Sequence, residues 1–403
     1  MNKSIALLLG AGFSAPKGYP VGNELNKKIR LIKPRKDKGH SSISITPNGN
    51  LYCNEGKPVP SPGWDEPYKL CLDLIEHYNK KYGPFDYEKF YDYLLKDVMT
   101  DKKAKNIAKS YITPSYDYSN LIHRIRENIY NQIVSLLIKD SNNENRYDKD
   151  NTASLSSTYP GYTGFLKYLS TIDKEYRVHI HTLNHDLLFE SFNNTRFFGN
   201  EKICDGFNLI NSKYYADVAN NTRYRCKLER YSGKYDTRFR LYKLHGSLNY
   251  YRYYQKKKCT NFYLPAVYVK HIYGLEDRIY KECRNVRGIL DFVPSDVDFH
   301  ADFLTGTTAK IMRYKEPLLY KKLFKKFVNN LKVAEKLIII GYGAKDCKIN
   351  ELIETNFDYT NKPIFVVNPT IQDESQLDDF YKKLQAKLIS TKLENISAKD
   401  FNK

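Results

Sequence analysis

The apolar run Ile5 to Leu9, inside SIALLLGAGFS, has strand length and no polar interruption. It predicts a strand covered on both faces, as in a parallel sheet. The run passes directly into Gly10 and Gly12, which permit a sharp turn and a close ligand approach that a side chain would block. The expected result is a loop that offers backbone N–H groups, and the start of a helix, to an anion such as a phosphate. A first helix is predicted near Val21 to Ile32. From Pro34 to Pro67 the chain is rich in Pro, Gly and Ser and reads as a long excursion. Apolar and aromatic positions then return at helical spacing in Glu66 to Lys81, Asp86 to Met99 and Asn120 to Ile138. The rings in Phe85 to Tyr93 read as core packing.

Asp140 to Ser157 is polar and Asn-rich, a loop of disordered composition. A helix around Tyr162 to Ile172 leads into a strand at Tyr176 to Thr182. Cys204 to Arg240 offers polar turns and short strands, and from Arg240 the sequence LYKLHGSLNYYRY predicts another strand that ends in a turn. The C-terminal order is helix Pro317 to Leu331, strand Lys336 to Gly341, helix Lys345 to Asn356, strand Pro363 to Asn368, helix Ser375 to Lys387. This alternation predicts an α/β fold with a doubly wound parallel sheet. It forms one domain over 1–403, with 33–160 as an inserted helical subdomain or lid and 204–240 as an irregular excursion.

Two other readings compete for the N-terminal segment. Lys3, the apolar run and the small residues Ala11, Ser14 and Ala15 imitate a secretory signal, but Gly10 and Gly12 break the run near the lower limit of roughly 7–15 residues for such a core. Gly10, Gly12 and Ala15 also satisfy a dinucleotide fingerprint. That motif expects a second strand and an acidic residue about 20 positions later to grip the ribose. The corresponding segment here is LIKPRKDKGH, basic and broken by Pro34. An ordinary dehydrogenase is disfavoured.

The formal net charge of +19 over 403 residues admits a polyanionic partner, nucleic acid included, and equally suits a pyrophosphate. Abundant Lys spread over solvated faces accounts for it as well. The 7 cysteines contain no C-x-x-C pair, which argues against a zinc ribbon and a small disulfide framework and favours a reducing cytoplasm. No apolar stretch reaches the roughly 20 residues needed to span a bilayer.

Candidate chemistry falls where predicted strands end, the ligand-binding edge of an open parallel sheet. These positions are Gly10, Ala11, Gly12, Phe13 and Ser14; Asn184, His185 and Asp186; His245 in LHGS; Gly341 and Tyr342; and Asn368 in VVNP. An asparagine amide can orient a hydroxyl or water, and a histidine with a pKa near 6.5 can accept a proton at neutral pH. Asn184 could instead cap a helix starting near Leu187. His179 and His181 alternate on a strand and read as structural. Tyr342 and Asp346 could form only a turn and a helix start.

In that order GAGFS, TLNHDLLFE, KLHGSLN, IIIGYGAKDCKIN and VVNP resemble the sirtuin-like fold, in particular the bacterial sirtuin-like NADases of antiphage defence. The resemblance implies NAD as substrate, with Asn184 and His245 catalytic. It places Gly10, Ala11, Gly12, Phe13, Ser14, Asp186, Gly341 and Tyr342 at the cofactor, and Asn368 at the adenosine ribose. It further implies control by homo-oligomerisation, by a separate sensor, or by a DNA-translocating ATPase of the HerA type. Sirtuin deacylases carry paired zinc cysteines and a proline-aspartate-phenylalanine-arginine segment. This chain has neither, reading PKGYPVGNEL after GAGFS, so no metal is expected and peptide deacylation is in doubt. ADP-ribosyl transfer, and NAD or ADP-ribose sensing without turnover, remain the alternatives.

Overall fold

The computed structural model describes residues 3–30, 44–45, 51–52, 65–114, 116–140, 142, 144–147, 159–198, 201–218, 221–256, 263–271, 275–295, 301–305 and 308–402. Most of the Pro34 to Pro67 excursion lies outside them.

Six parallel strands form the central sheet: β1 (Ser4–Leu9), β2 (Arg177–Thr182), β3 (Phe239–Lys243), β4 (Lys336–Ile340), β5 (Ile364–Val367) and β6 (Lys387–Ile389). Their spatial order is β6-β5-β4-β1-β2-β3. The chain therefore builds outward from β1 in one direction, then returns to its other side. The switch lies between β1 and β4, where the crossovers leave in opposite directions and a crevice opens at the carboxyl edge. Every residue of β1 is buried, which explains its unbroken apolar run. Ile5, Leu7 and Leu9 join one core with the helices α5 (Tyr118–Ile138) and α6 (Thr163–Thr171). Ala6 and Leu8 join the opposite core with α9 (Tyr320–Val333) and α10 (Cys347–Asn356). The doubly wound α/β architecture is thus present, with helices on both faces of the sheet.

The predicted helical insertion contains α2 (Asp65–Tyr82), α3 (Tyr87–Lys96), α4 (Lys102–Ala108) and α5. Asp86, Asp101 and Asp117 start three of these helices by accepting backbone N–H bonds. Phe90 and Tyr93 are core residues, and Tyr78 packs edge-on against Phe90.

Three expectations need correction. The described part of Asp140 to Ser157 is packed rather than disordered: Tyr147 is buried and bonds Tyr19 at 2.9 Å, while Arg146 donates to the Lys17 and Gly18 carbonyls. Residues 148–158 lie outside the described residues. The helix predicted at Ser375 to Lys387 shrinks to α11 (Asp379–Lys383). Asp378 restarts the chain by capping Phe380, and Gln385 at φ 54° turns it into edge strand β6. The irregular excursion at 204–240 also forms defined structure, extending beyond that range. Strands Tyr214–Val218, Asn221–Lys227, Leu275–Arg284 and Leu290–Ser295 make one antiparallel sheet, and Phe207–Asn208, Arg230–Tyr231, Tyr250–Lys256 and Tyr263–Lys270 another. Tyr250 and Tyr251 are both buried, which breaks the alternation that would have revealed the strand at Tyr250–Lys256, and the bulge between its Tyr253 and Tyr254 pairings leaves Ala266 of the partner strand unmatched.

Candidate functional site

The carboxyl ends of β1, β2 and β4 lie in register, with Leu9 opposite both Thr182 and Ile340. The loops that leave them are locked together. The Gly10 N–H donates to the Ile340 carbonyl and the Gly12 N–H to the Gly341 carbonyl, both at 2.9 Å. A Cβ on Gly341 would stand 2.3 Å from the Phe13 nitrogen, and one on Gly10 would stand 2.6 Å from the Gly341 oxygen. The space kept open by these glycines is therefore taken by the facing loop. Close packing of the two loops is thus one reason for glycine at Gly10 and Gly12.

The loop after β1 also differs from the predicted turn into a helix. Two short 3₁₀ turns, Ala11–Phe13 and Ala15–Lys17, precede the first regular helix α1 (Gly22–Arg30). Phe13 is buried, its ring packed against Tyr162, Phe165 and Phe192. Its contribution is to the core. Ala11 is exposed on the turn.

Asn184 follows β2 and reaches across to this loop. Its Nδ2 donates to the Gly10 carbonyl and to Ser14 Oγ, each at 3.0 Å. With both amide hydrogens so engaged, Oδ1 is the group left to accept from a hydroxyl or a water. Ser14 Oγ passes its own hydrogen to Asp186 Oδ2 at 2.8 Å, and Asp186 Oδ1 accepts from the Leu188 N–H at 3.0 Å. Asp186 thus braces the loop and starts α7 (Leu188–Ser191). Asn184 does not cap that helix.

His245 follows β3 and is buried. Its Nε2 lies 3.4 Å from Asp346 Oδ2 and 3.3 Å from the Tyr314 hydroxyl, which itself bonds Asp346 Oδ2 at 3.3 Å. Burial, reinforced by the nearby Lys310 ammonium, pushes the His245 pKa down, and Asp346 opposes the shift. His245 is therefore neutral at pH 7. The ionised Asp346 beside Nε2 can only accept, which favours the Nε2–H tautomer and leaves Nδ1 as the basic nitrogen. From sequence alone this histidine is expected at its ordinary pKa; the downward shift comes from burial and then from Lys310, neither of which has a local motif.

Asp346 is half-buried and caps α10, where Oδ1 accepts from the Lys348 and Ile349 N–H groups at 3.1 Å. Its pKa is held well below the usual carboxylate range by hydrogen bonding to His245, against an opposing desolvation effect. The Tyr342 hydroxyl donates to Asn350 Oδ1 at 2.7 Å and accepts from the Asp346 N–H at 3.2 Å. The loops bearing Gly10, Asn184, His245, Tyr342 and Asp346 consequently close into one connected rim at the switch point. Asn368 follows β5, the strand beside β4, and its Oδ1 accepts from the N–H and hydroxyl of Thr370.

Three participants escaped the sequence reading. Tyr314 touches His245, while Lys310 acts on it electrostatically and donates to Glu88 of α3 at 2.6 Å. Phe303 packs 4.5 Å from the His185 ring and stacks 4.5 Å from Tyr130 of α5. None belongs to a short motif. His185 itself lies with its ring centroid 6.3 Å from that of His245. His179 and His181 are buried in β2, where they bond Tyr242 and the Leu7 carbonyl. Among the described residues no group of His, Cys, Asp and Glu is arranged to hold a metal ion, and no helix is long and apolar enough to cross a membrane.

No family model and no curated protein matches this chain. Among solved structures, it is similar to a Sir2 homologue in complex with NAD, at 12% identity and TM-score 0.33 over 97% of this chain and 85% of the other. A mutant Sir2 homologue bound to ADP-ribose gives 11% identity and TM-score 0.31 over 97% and 88%. A third structure, from work on the mechanism and regulation of Sir2 enzymes, gives 10% and 0.29 over 99% and 91%.

Proposed function

We propose that this chain binds NAD across the β1/β4 switch point and hydrolyses the bond between nicotinamide and ribose. The observation that carries this reading is the pairing of a fixed Asn184 amide with a buried, neutral His245 on strand ends that share one loop rim. Dinucleotides lie at this place in open α/β sheets.

The chemistry follows from the two side chains. As the glycosidic bond breaks, its electron pair leaves with nicotinamide and positive charge develops on the ribose. A water then bonds to the ribose C1′ carbon and gives up a proton. Asn184 Oδ1 accepts a hydrogen bond from that water or from a ribose hydroxyl and sets its position. His245 Nδ1 takes the proton, and Asp346 stabilises the imidazolium that results. The products are nicotinamide, ADP-ribose and a proton.

The ordered motifs that resemble bacterial sirtuin-like NADases further support a role as an antiphage effector that depletes NAD. Its restraint then falls to self-assembly, to a sensor, or to a HerA-type partner. The test is nicotinamide release from NAD by the wild-type chain, Asn184→Ala and His245→Ala, with and without the product of the neighbouring gene. Release that both substitutions abolish is the expected result. NAD binding without release in either state would replace hydrolysis by sensing.

A further inference from the structure

The geometry points to Lys243 as a positioning residue that fixes the Asn184 loop relative to His245, an inference that rests on reading this rim as the reaction site. Lys243 is the last residue of β3, opposite Thr182 at the end of β2, and its side chain is wholly buried. An ammonium is costly to bury unless its donors are met. Here Nζ donates to Glu190 Oε1 at 2.8 Å, to the Asp186 carbonyl, and at 3.5 Å to the His185 carbonyl.

Two of these three acceptors are backbone oxygens of the loop that begins at Asn184. An ion pair with Glu190 alone would not require them. The same loop is held from the other side by Ser14, through Asp186 and Asn184. It is also tied to the histidine turn, because the Leu248 N–H donates to the His185 carbonyl at 3.0 Å. Lys243 stands at the end of the strand, two residues before His245 in the turn that follows. Its ammonium therefore links the backbone carrying the amide to the backbone carrying the base, and does so away from the reacting atoms.

The test compares Lys243→Met, Glu190→Gln and the double variant with the wild-type chain. Local hydrogen exchange over 183–190 and the kcat and KM for nicotinamide release are both measured. Lys243→Met and the double variant are expected to exchange faster over 183–190, with β2 and β4 unchanged. Their kcat should fall at least about tenfold and their KM stay within about threefold. Glu190→Gln, which keeps both carbonyl bonds, should cost several-fold less in kcat. If Lys243→Met alone does not fold, the double variant, from which both charges leave together, carries the comparison. Unchanged exchange over 183–190 in that variant, or faster exchange with unaltered kcat, overturns the inference. A wild-type chain that releases no nicotinamide would defeat the hydrolase reading instead, and the exchange comparison would still decide whether Lys243 clamps the loop.

Discussion

Asp346 serves His245 with one carboxylate oxygen and the start of α10 with the other: Oδ2 lies 3.4 Å from His245 Nε2, while Oδ1 accepts two helix N–H groups. The two roles separate by substitution. Asparagine retains the cap, so Asp346→Asn should unfold within about 0.5 kcal/mol of wild type, whereas Asp346→Ala should lose about 1 kcal/mol. Urea titrations of the two variants check this.

The same carboxylate holds the His245 pKa up against burial and Lys310. In the proposed mechanism the neutral imidazole is the base, so activity is expected to fall on the acid side as His245 protonates. Asp346→Asn should move that limb of the kcat/KM profile further to acid pH. Lys310→Met removes the opposing cation and should move it toward neutrality. Shifts in the same direction would exclude this electrostatic account.

Gly341 and Gly343 stand two positions apart and should differ sharply. Gly341 has φ +64° and its missing Cβ would overlap the Phe13 and Gly12 backbone; a Cβ on Gly343 meets nothing within 4 Å. Gly341→Ala should cost on the order of 3 kcal/mol and disrupt the rim, while Gly343→Ala should stay within about 0.5 kcal/mol. Thermal unfolding of both variants decides.

His179 and His181 are held down to about 3, mainly by burial. Unfolded histidine titrates near 6.5, so below that pH the unfolded chain binds protons that the native chain refuses. Their contribution to stability is full above about pH 6.5 and declines as the pH falls toward about 3. Replacing His179 by glutamine should flatten the decline measured by urea unfolding between pH 7 and pH 4.

The middle of the central sheet was legible because β1, β4 and β5 are almost wholly buried and so carry continuous apolar runs. Ile5 to Leu9 and Leu337 to Ile340 could be read without any partner in view. Tyr342 was legible for a related reason, since it follows such a run closely, whereas Asn184 and His245 follow the mixed strands RVHIHT and FRLYK and were legible through the segments TLNHD and LHGS. Tyr314, Lys310 and Lys243 were not, because their roles depend on what lies across the fold. The antiparallel sheets were missed where Tyr250, Tyr251 and Tyr253 are all buried, so that neither a period of two nor a period of 3.6 stands out.

The interlock of Gly12 with Gly341 has a consequence for biosynthesis. The first of the six strands in sequence lies inside the sheet, and one of its two neighbours is β4, which follows β2 and β3 along the chain. Contacts so distant in sequence form late. A nascent or prematurely terminated chain that ends before β4 has Asn184 and His245 but neither Asp346 nor the Gly341 loop. On the proposed reading, the rim around Asn184 and His245 is therefore completed only once β4 and the loop after it have been made.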